Sequence, residues 1–210
     1  MPTLSEMLHA TRVLPVLTVH SEAEAVAVVD ALAAGGLTAV EITLRTPAAL
    51  GAIAAVKKAR PDFIVAAGTV RTVADMRAVA AAGVDFAVSP GFTPTLSACA
   101  RELQLPFLPG VSTPSEIIAG SECGHTCFKL FPAEAVGGMA LLKALISPFA
   151  GIEFCPTGGI GLHNFLEYLA LPNVVCIGGS WMVDSNLIQQ GKWERLEKLA
   201  RECVLELNKR

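Results

Sequence analysis

Apolar residues gather in eight runs along the chain, at 13–19, 39–44, 64–69, 86–91, 106–111, 127–132, 153–159 and 174–180. Their starts are separated by roughly 20 to 26 residues, and the gaps mostly carry Ala- and Leu-rich helical patterns. Several runs are apolar nearly throughout instead of alternating, which is the pattern of parallel strands buried on both faces. Helix signals fall between them. Ser21 with Glu24 three places on predicts an N-terminus of the capping-box type, and Gly35-Gly36 closes that helix. Pro47 stands where a first helical turn would begin. The start of the chain reads as a short amphipathic helix, and 184–210 supplies the last helical segments.

Eight β-α repeats without a linker predict an α/β fold in which residues 1–210 form a single domain, a (β/α)8 TIM barrel with a short N-terminal helix. An open doubly wound sheet uses the same alternation of elements. The repeat count and the lack of a polar edge strand favour closure.

Composition narrows the partners. The chain has 210 residues, a formal charge of -3 and 52 % apolar residues, with few aromatics. Lys and Arg are scattered, so neither a nucleic-acid stripe nor a polybasic membrane patch is visible. No run reaches the length of a membrane span, and the first ten residues lack the organisation of a secretory signal. Six cysteines in a chain of this size predict reduced thiols and a cytoplasmic location, not a disulfide framework.

In such a barrel, reactive side chains gather at the C-terminal ends of the strands. Those ends carry Glu41, Thr43 and Arg45, then Gly68 and Thr69, then Ser89 and Pro90, then Lys129 and Phe131. The last two runs end in Thr157-Gly158-Gly159 and Gly178-Gly179-Ser180. Lys129, between Phe128 and Leu130, is the most informative of these. A charged amine in that setting is costly to desolvate, whereas a neutral one attacks a ketone, loses water and leaves an imine that withdraws electrons as a neighbouring C–C bond breaks. The plainer alternative is a strand lysine that reaches solvent at the rim or joins a structural ion pair. Glu41, in an otherwise apolar strand, is the natural proton-transfer partner, or else the other half of a salt bridge. Arg45 offers a fork that suits a carboxylate, or is a surface arginine. The paired glycines at the last two strand ends match a place where barrels bind phosphate on backbone N–H groups, although Gly-Gly also serves as a simple turn. Cys123-Gly124-His125-Thr126-Cys127 lacks a second Cys/His pair at zinc spacing, so no metal is expected. Gly158-Gly159-Ile160-Gly161 has the wrong spacing for a dinucleotide fingerprint.

Six motifs, Glu41-Ile42-Thr43-Leu44-Arg45-Thr46, Ala67-Gly68-Thr69-Val70, Ser89-Pro90-Gly91, Phe128-Lys129-Leu130-Phe131-Pro132-Ala133-Glu134, Cys155-Pro156-Thr157-Gly158-Gly159-Ile160 and Cys176-Ile177-Gly178-Gly179-Ser180-Trp181, together resemble one enzyme group. It is the class I aldolases for 2-keto-3-deoxy-6-phosphogluconate (KDPG) and 4-hydroxy-2-oxoglutarate (KHG), and the resemblance spans essentially the whole chain. It implies a cofactor-free, metal-free barrel, usually a homotrimer, in Entner-Doudoroff carbohydrate metabolism. Lys129 would form the imine and Glu41 would act as acid and base. Arg45 and Thr69 would hold the pyruvate portion, with Pro90 and Phe131 shaping the pocket. Gly158, Gly159, Gly179 and Ser180 would hold the phosphate. The implied partners are small molecules, pyruvate and a phosphorylated keto-deoxy sugar acid. A sister group for the galactonate epimer tends to lack the Leu-Arg-Thr run and the Thr before Gly-Gly, so Arg45 and Thr157 favour the gluconate substrate. Leu130 and Val136 depart from the group's common residues, the first on the outward face of its strand. A phosphosugar isomerase on the same barrel, or an inactive phosphate-binding module, remains as a rival reading.

Overall fold

The computed structural model describes residues 2–209. Among these residues, nine short parallel strands alternate with helices along most of the chain. A first helix, α1 (Leu4–Thr11), precedes β1 (Val13–Leu17), α2 (Glu22–Ala34), β2 (Ala39–Thr43), α3 (Ala49–Ala59), β3 (Ile64–Gly68), α4 (Val73–Ala81), β4 (Phe86–Val88) and α5 (Pro94–Glu102). The chain continues through β5 (Phe107–Leu108), β6 (Gly110–Val111), α6 (Pro114–Glu122), β7 (Cys127–Leu130), a 3-10 turn (Glu134–Val136), α7 (Gly138–Leu145), β8 (Glu153–Phe154), α8 (Phe165–Leu169) and β9 (Ile177–Gly179), and ends with α9 (Ser185–Gln189) and α10 (Trp193–Leu207).

The strands form a curled parallel sheet in two ladders, β5-β4-β3-β2-β1-β9 and β6-β7-β8. The expected fifth strand is thus two, divided at Pro109, which has no N–H to give to a ladder. Its carbonyl still accepts the Lys129 N–H at 2.9 Å. The expected seventh and eighth strands are shorter than their apolar runs. They meet only through isolated parallel bridges, Phe154 with Val174 and Thr157 with Gly178. Regular ladders therefore do not by themselves trace a closed eight-stranded ring.

Alternation along each strand sorts the core into two clusters. Val40, Ile42, Val65, Ala67, Ala87, Phe128 and Leu130 point outward and pack beneath the helices. Leu130 therefore faces away from the interior, as its place in the alternation predicts. Leu14, Ala39, Ala66, Phe86, Leu108, Cys127, Cys155 and Cys176 point inward, and Met7 and Leu8 of α1 join them from the N-terminal end. Glu41 and Lys129 lie two residues beyond Ala39 and Cys127, so each continues an inward-facing row above an apolar floor. All six cysteines are free.

Helix starts differ from the sequence expectation in detail. Ser21 does cap α2 by accepting the Glu24 N–H, but the Glu24 carboxylate turns back to the His20 N–H at 2.8 Å instead of to Ser21. α3 begins at Ala49, two residues after Pro47, because Thr46 to Ala48 form a turn tied to the segment just after β1 by the Thr46 hydroxyl on the Val19 carbonyl. No helix among the described residues is long and apolar enough to cross a membrane.

α1 is fastened by Glu153 at the start of β8, which accepts from Ser5 Oγ at 2.7 Å and meets His9 Nε2 at 2.7 Å. Partial burial raises the proton affinity of this carboxyl, but the bonds from Ser5, His9 and Cys127 outweigh that and hold it below the usual range. A carboxylate lowered in the folded state stabilises the fold fully above its unfolded value near about 4.3, and the benefit disappears as pH falls through the lower folded value. Glu153→Gln is therefore expected to flatten the loss of Tm on acidification below about pH 4.5, read by thermal melts across that range. An unchanged slope would show that this tether carries no pH-dependent stability.

Candidate active site

The C-terminal ends of the strands hold a buried ion pair. Lys129 Nζ donates to Glu41 Oε1 at 3.1 Å and Oε2 at 3.3 Å, with the two residues only 5 % and 2 % exposed. Parallel pairing puts Glu41 on β2 and Lys129 on β7, on opposite stretches of the curled sheet, so their contact crosses the interior. Gly68 makes this possible. It ends β3 opposite Thr43, and a Cβ there would stand 2.1 Å from Glu41 Oε1. Only glycine leaves that space.

Both charges are desolvated, so removing either one would leave the other buried and unpaired. Phe131 links the pair to the outside: its ring centre lies 5.4 Å from Nζ, and the residue also lines an open cleft of about 500 Å³. Val16, Thr18, Arg45, Thr157, Gly158, Gly159, Gly178, Gly179, Ser180, Trp181, Asp184 and Ser185 share that cleft. Of the residues singled out from the sequence, the structure thus brings Arg45, Phe131, Thr157, Gly158, Gly159, Gly179 and Ser180 together, with Lys129 and Glu41 buried at Phe131's inner side.

Three of the residues singled out from the sequence sit apart from this arrangement in detail. Arg45 is not on the strand face of Glu41 and Thr43, because β2 ends at Thr43 and the chain turns. Its exposed side chain nonetheless reaches the cleft and has no hydrogen-bonding partner among the described residues. Thr69 and Pro90 do not line that cleft. Thr69 does hold φ of +64°, a left-handed conformation that is costly for a β-branched residue, and it follows directly on Gly68. Pro90 packs against Gly110, where a Cβ would stand 2.3 Å from the Pro90 carbonyl carbon.

The Gly158-Gly159 turn is clamped from the lysine strand's side. Ala133 and Glu134, just beyond β7, donate their N–H groups to the carbonyls of Thr157 at 2.9 Å and Gly158 at 3.1 Å. The Glu134 side chain lies over Gly159, where a Cβ would meet its Cγ at 2.4 Å. Tyr168 of α8, fully buried, donates its hydroxyl to Glu134 Oε1. Burial pushes the Tyr168 phenol up, and the neighbouring Glu134 carboxylate pushes it further, so it remains a donor.

Neither Thr18 nor the Glu134–Tyr168 pair stood out in the sequence. The signal for Thr18 was available: it is a polar residue at the end of an apolar run, two places beyond Val16. Tyr168 carried no such mark, since its partner is 34 residues away.

At the opposite end of the sheet, a second cavity of about 370 Å³ runs past Ser97, Arg101, His125 and Cys127. His125 bonds Ser97 Oγ at 2.8 Å and sits edge-on to Phe92, Phe107 and Phe128. Burial, then the charge of Arg101, hold it neutral below the usual imidazole range. The Cys127 thiol is pushed up to about 12 by burial and by its bond to Glu153. The thiol thus lacks the low proton affinity of a reactive cysteine, and among the described residues His125 meets Ser97 without a third group on its other ring nitrogen to orient it as a base.

A buried amine in contact with a carboxylate, beside a polar cleft on the C-terminal side of a parallel sheet, is an arrangement that could present a lysine to a carbonyl. The family model for "KDPG and KHG aldolase" matches residues 4–199. The 2-dehydro-3-deoxy-phosphogluconate aldolase of Pseudomonas aeruginosa is 46 % identical over 201 residues, 96 % of this chain and 91 % of that one. The KHG/KDPG aldolase of Escherichia coli K12 is 47 % identical over 192 residues, 91 % of this chain and 90 % of its own length. The crystal structure of KDPG aldolase from Legionella pneumophila, with pyruvate captured at low pH as a covalent carbinolamine intermediate, superposes with a TM-score of 0.91 at 41 % identity, covering 94 % of this chain and 96 % of the other. The chain belongs to the KDPG and KHG aldolase family.

Proposed function

We propose that this chain is a class I aldolase, a lyase that reversibly cleaves KDPG to pyruvate and glyceraldehyde 3-phosphate, and KHG to pyruvate and glyoxylate. The observation that carries the reading is the Lys129–Glu41 contact, 3.1 Å long and buried, at the inner edge of a cleft that opens to solvent. A proton passes from Nζ to Glu41 as substrate enters, and the free amine attacks the C2 ketone. Glu41 then protonates the carbinolamine hydroxyl, which leaves as water and gives the imine. Removal of the C4 hydroxyl proton lets the C3–C4 bond break. Its electron pair moves into the protonated imine as an enamine, the aldehyde departs, and protonation at C3 followed by hydrolysis releases pyruvate.

Arg45 supplies a charge for the substrate carboxylate, and Thr69, held at positive φ beside Gly68, presents its side chain to the same portion. Pro90 and Phe131 shape the pocket around the imine, and Thr157 contacts the chain of the substrate. The N–H groups of Gly158, Gly159 and Gly179, with the Ser180 hydroxyl, hold the phosphate. The Asp184 carboxylate, also in the cleft, is engaged in capping α9 through the Asn186 and Leu187 N–H groups. The activity needs no metal or organic cofactor.

Residues 1–210 act as one domain, and the two strand ladders close into an eight-stranded barrel. The Phe154–Val174 and Thr157–Gly178 bridges support closure, as does the continuity of β5 and β6 through Pro109. Free thiols suit a cytoplasmic enzyme, and the family resemblance supports a homotrimer, which sedimentation would test.

Pyruvate release from KDPG, coupled to lactate dehydrogenase, tests the function. Turnover is expected with KDPG and, more slowly, with its galactonate epimer, given Arg45 and Thr157. A phosphosugar isomerase or an inactive binding module would release no pyruvate from either. Tyr168→Phe removes the hydroxyl that holds Glu134 over the Gly158-Gly159 turn. It is expected to raise KM for KDPG by about tenfold, the worth of one good hydrogen bond, while changing KM for the phosphate-free KHG less than twofold. Equal effects on both substrates would show that the clamp does not serve phosphate.

A further inference from the structure

Thr18 is an oriented hydrogen-bond acceptor in the cleft, and its orientation is set by a two-step relay. Thr43 Oγ1 lies 3.0 Å from the Leu17 carbonyl, which can only accept, so the one Thr43 hydroxyl proton is committed there. Thr18 Oγ1 lies 2.9 Å from Thr43 Oγ1. With the Thr43 proton spent, Thr18 is the donor in that contact. The Thr18 oxygen then has no proton left for the cleft that it lines, only lone pairs. Thr43 is fully buried, so water does not compete for this arrangement.

The position of Thr18 says which part of a substrate it meets. β1 pairs with β2 on one side, Val16 opposite Glu41, and with β9 on the other, Pro15 opposite Gly179. Thr18, just past the end of β1, therefore stands between the strand that carries Glu41 and the strand end that carries Gly179 and Ser180. A substrate whose ketone is at Lys129 and whose phosphate is at the glycine turns passes its middle carbons across Thr18.

We propose that Thr18 determines specificity by accepting a hydrogen bond from a hydroxyl of the aldehyde-derived half of the substrate, so that the cleft selects a hydroxylated phospho-aldehyde over its deoxy counterpart. The inference rests on the aldolase reading above. A committed acceptor rewards an O–H and gives nothing to a C–H, whereas a freely rotating hydroxyl would serve donors and acceptors alike.

The test is aldol addition of pyruvate to D-glyceraldehyde 3-phosphate and to 3-oxopropyl phosphate, which lacks the C2 hydroxyl. The ratio of kcat/KM for the two aldehydes is expected to fall about tenfold in Thr18→Val, the value of one hydrogen bond, and to stay near the wild-type ratio in Thr18→Ser. Borohydride trapping with pyruvate reports that Lys129 remains competent in each variant. An unchanged ratio in Thr18→Val, or a loss of equal size in Thr18→Ser, would overturn the role of Thr18 and leave the aldolase reading standing. Failure of the wild-type protein to add pyruvate to either aldehyde would overturn both.

Discussion

Replacing Lys129 by alanine is expected to abolish cleavage of both KDPG and KHG, with kcat lower by at least about 10^4-fold, the scale on which covalent catalysis fails when its nucleophile is removed. The remaining lysines offer no substitute. Lys57, Lys58, Lys143 and Lys198 sit on helices, Lys57 already paired with Asp85, and Lys192 and Lys209 lie at helix ends. The variant also leaves Glu41 buried without its partner, a change that typically costs about 3–5 kcal/mol. A thermal melt must accompany the kinetics, and activity is compared below the variant's own transition. A folded Lys129→Ala protein that turns over either substrate at near wild-type rate would rule out the imine mechanism.

Glu41→Gln is expected to lower kcat for both substrates by about 10^2- to 10^4-fold, the usual contribution of a positioned acid-base group. The amide keeps the shape beside Gly68 and can still accept from Nζ, but it cannot take a proton. Some imine formation should survive, because Lys129 can lose its proton to water that enters with substrate. The kinetic and trapping results therefore separate in this variant and coincide in Lys129→Ala. Trapping lost completely in Glu41→Gln would move the role of Glu41 from the carbon-carbon step to formation of the imine itself.

The parts of this site that could be read from the sequence are those that break a local rule. Lys129 and Glu41 each put a charge into a run otherwise built for burial, and the two-residue period of a strand then turned both inward. The glycine pairs at the last two strand ends were legible for the same reason, because two adjacent residues without side chains interrupt an apolar pattern. What stayed hidden depends on contacts between distant segments. The alternation in 106–111 does not say that Pro109 divides the strand, since that follows from a missing N–H at one rung of a ladder formed with other strands. The apolar run at 153–159 likewise continues past its two ladder residues, held by the Cys155 and Thr157 N–H groups on the Phe128 and Leu130 carbonyls and by the bridge to Gly178. Thr18 reads as a polar residue near a strand end until the Thr43 and Leu17 contacts fix the direction of its proton.

The same contrast applies to Thr69 and Arg45. The motif Ala67-Gly68-Thr69-Val70 marked Thr69, but its positive φ is visible only in the folded backbone. Arg45 was placed by strand alternation, and it reaches the cleft although the strand stops two residues earlier. A long, flexible side chain tolerates that error in register, where a short one such as Thr18 would not.

Borohydride reduction of the wild-type protein in the presence of pyruvate, followed by peptide mapping, decides whether Lys129 forms the imine. One stable adduct, with the mass of reduced pyruvate, is expected on the peptide that contains Lys129. No adduct on any lysine, or an adduct on a lysine other than Lys129, would contradict that assignment.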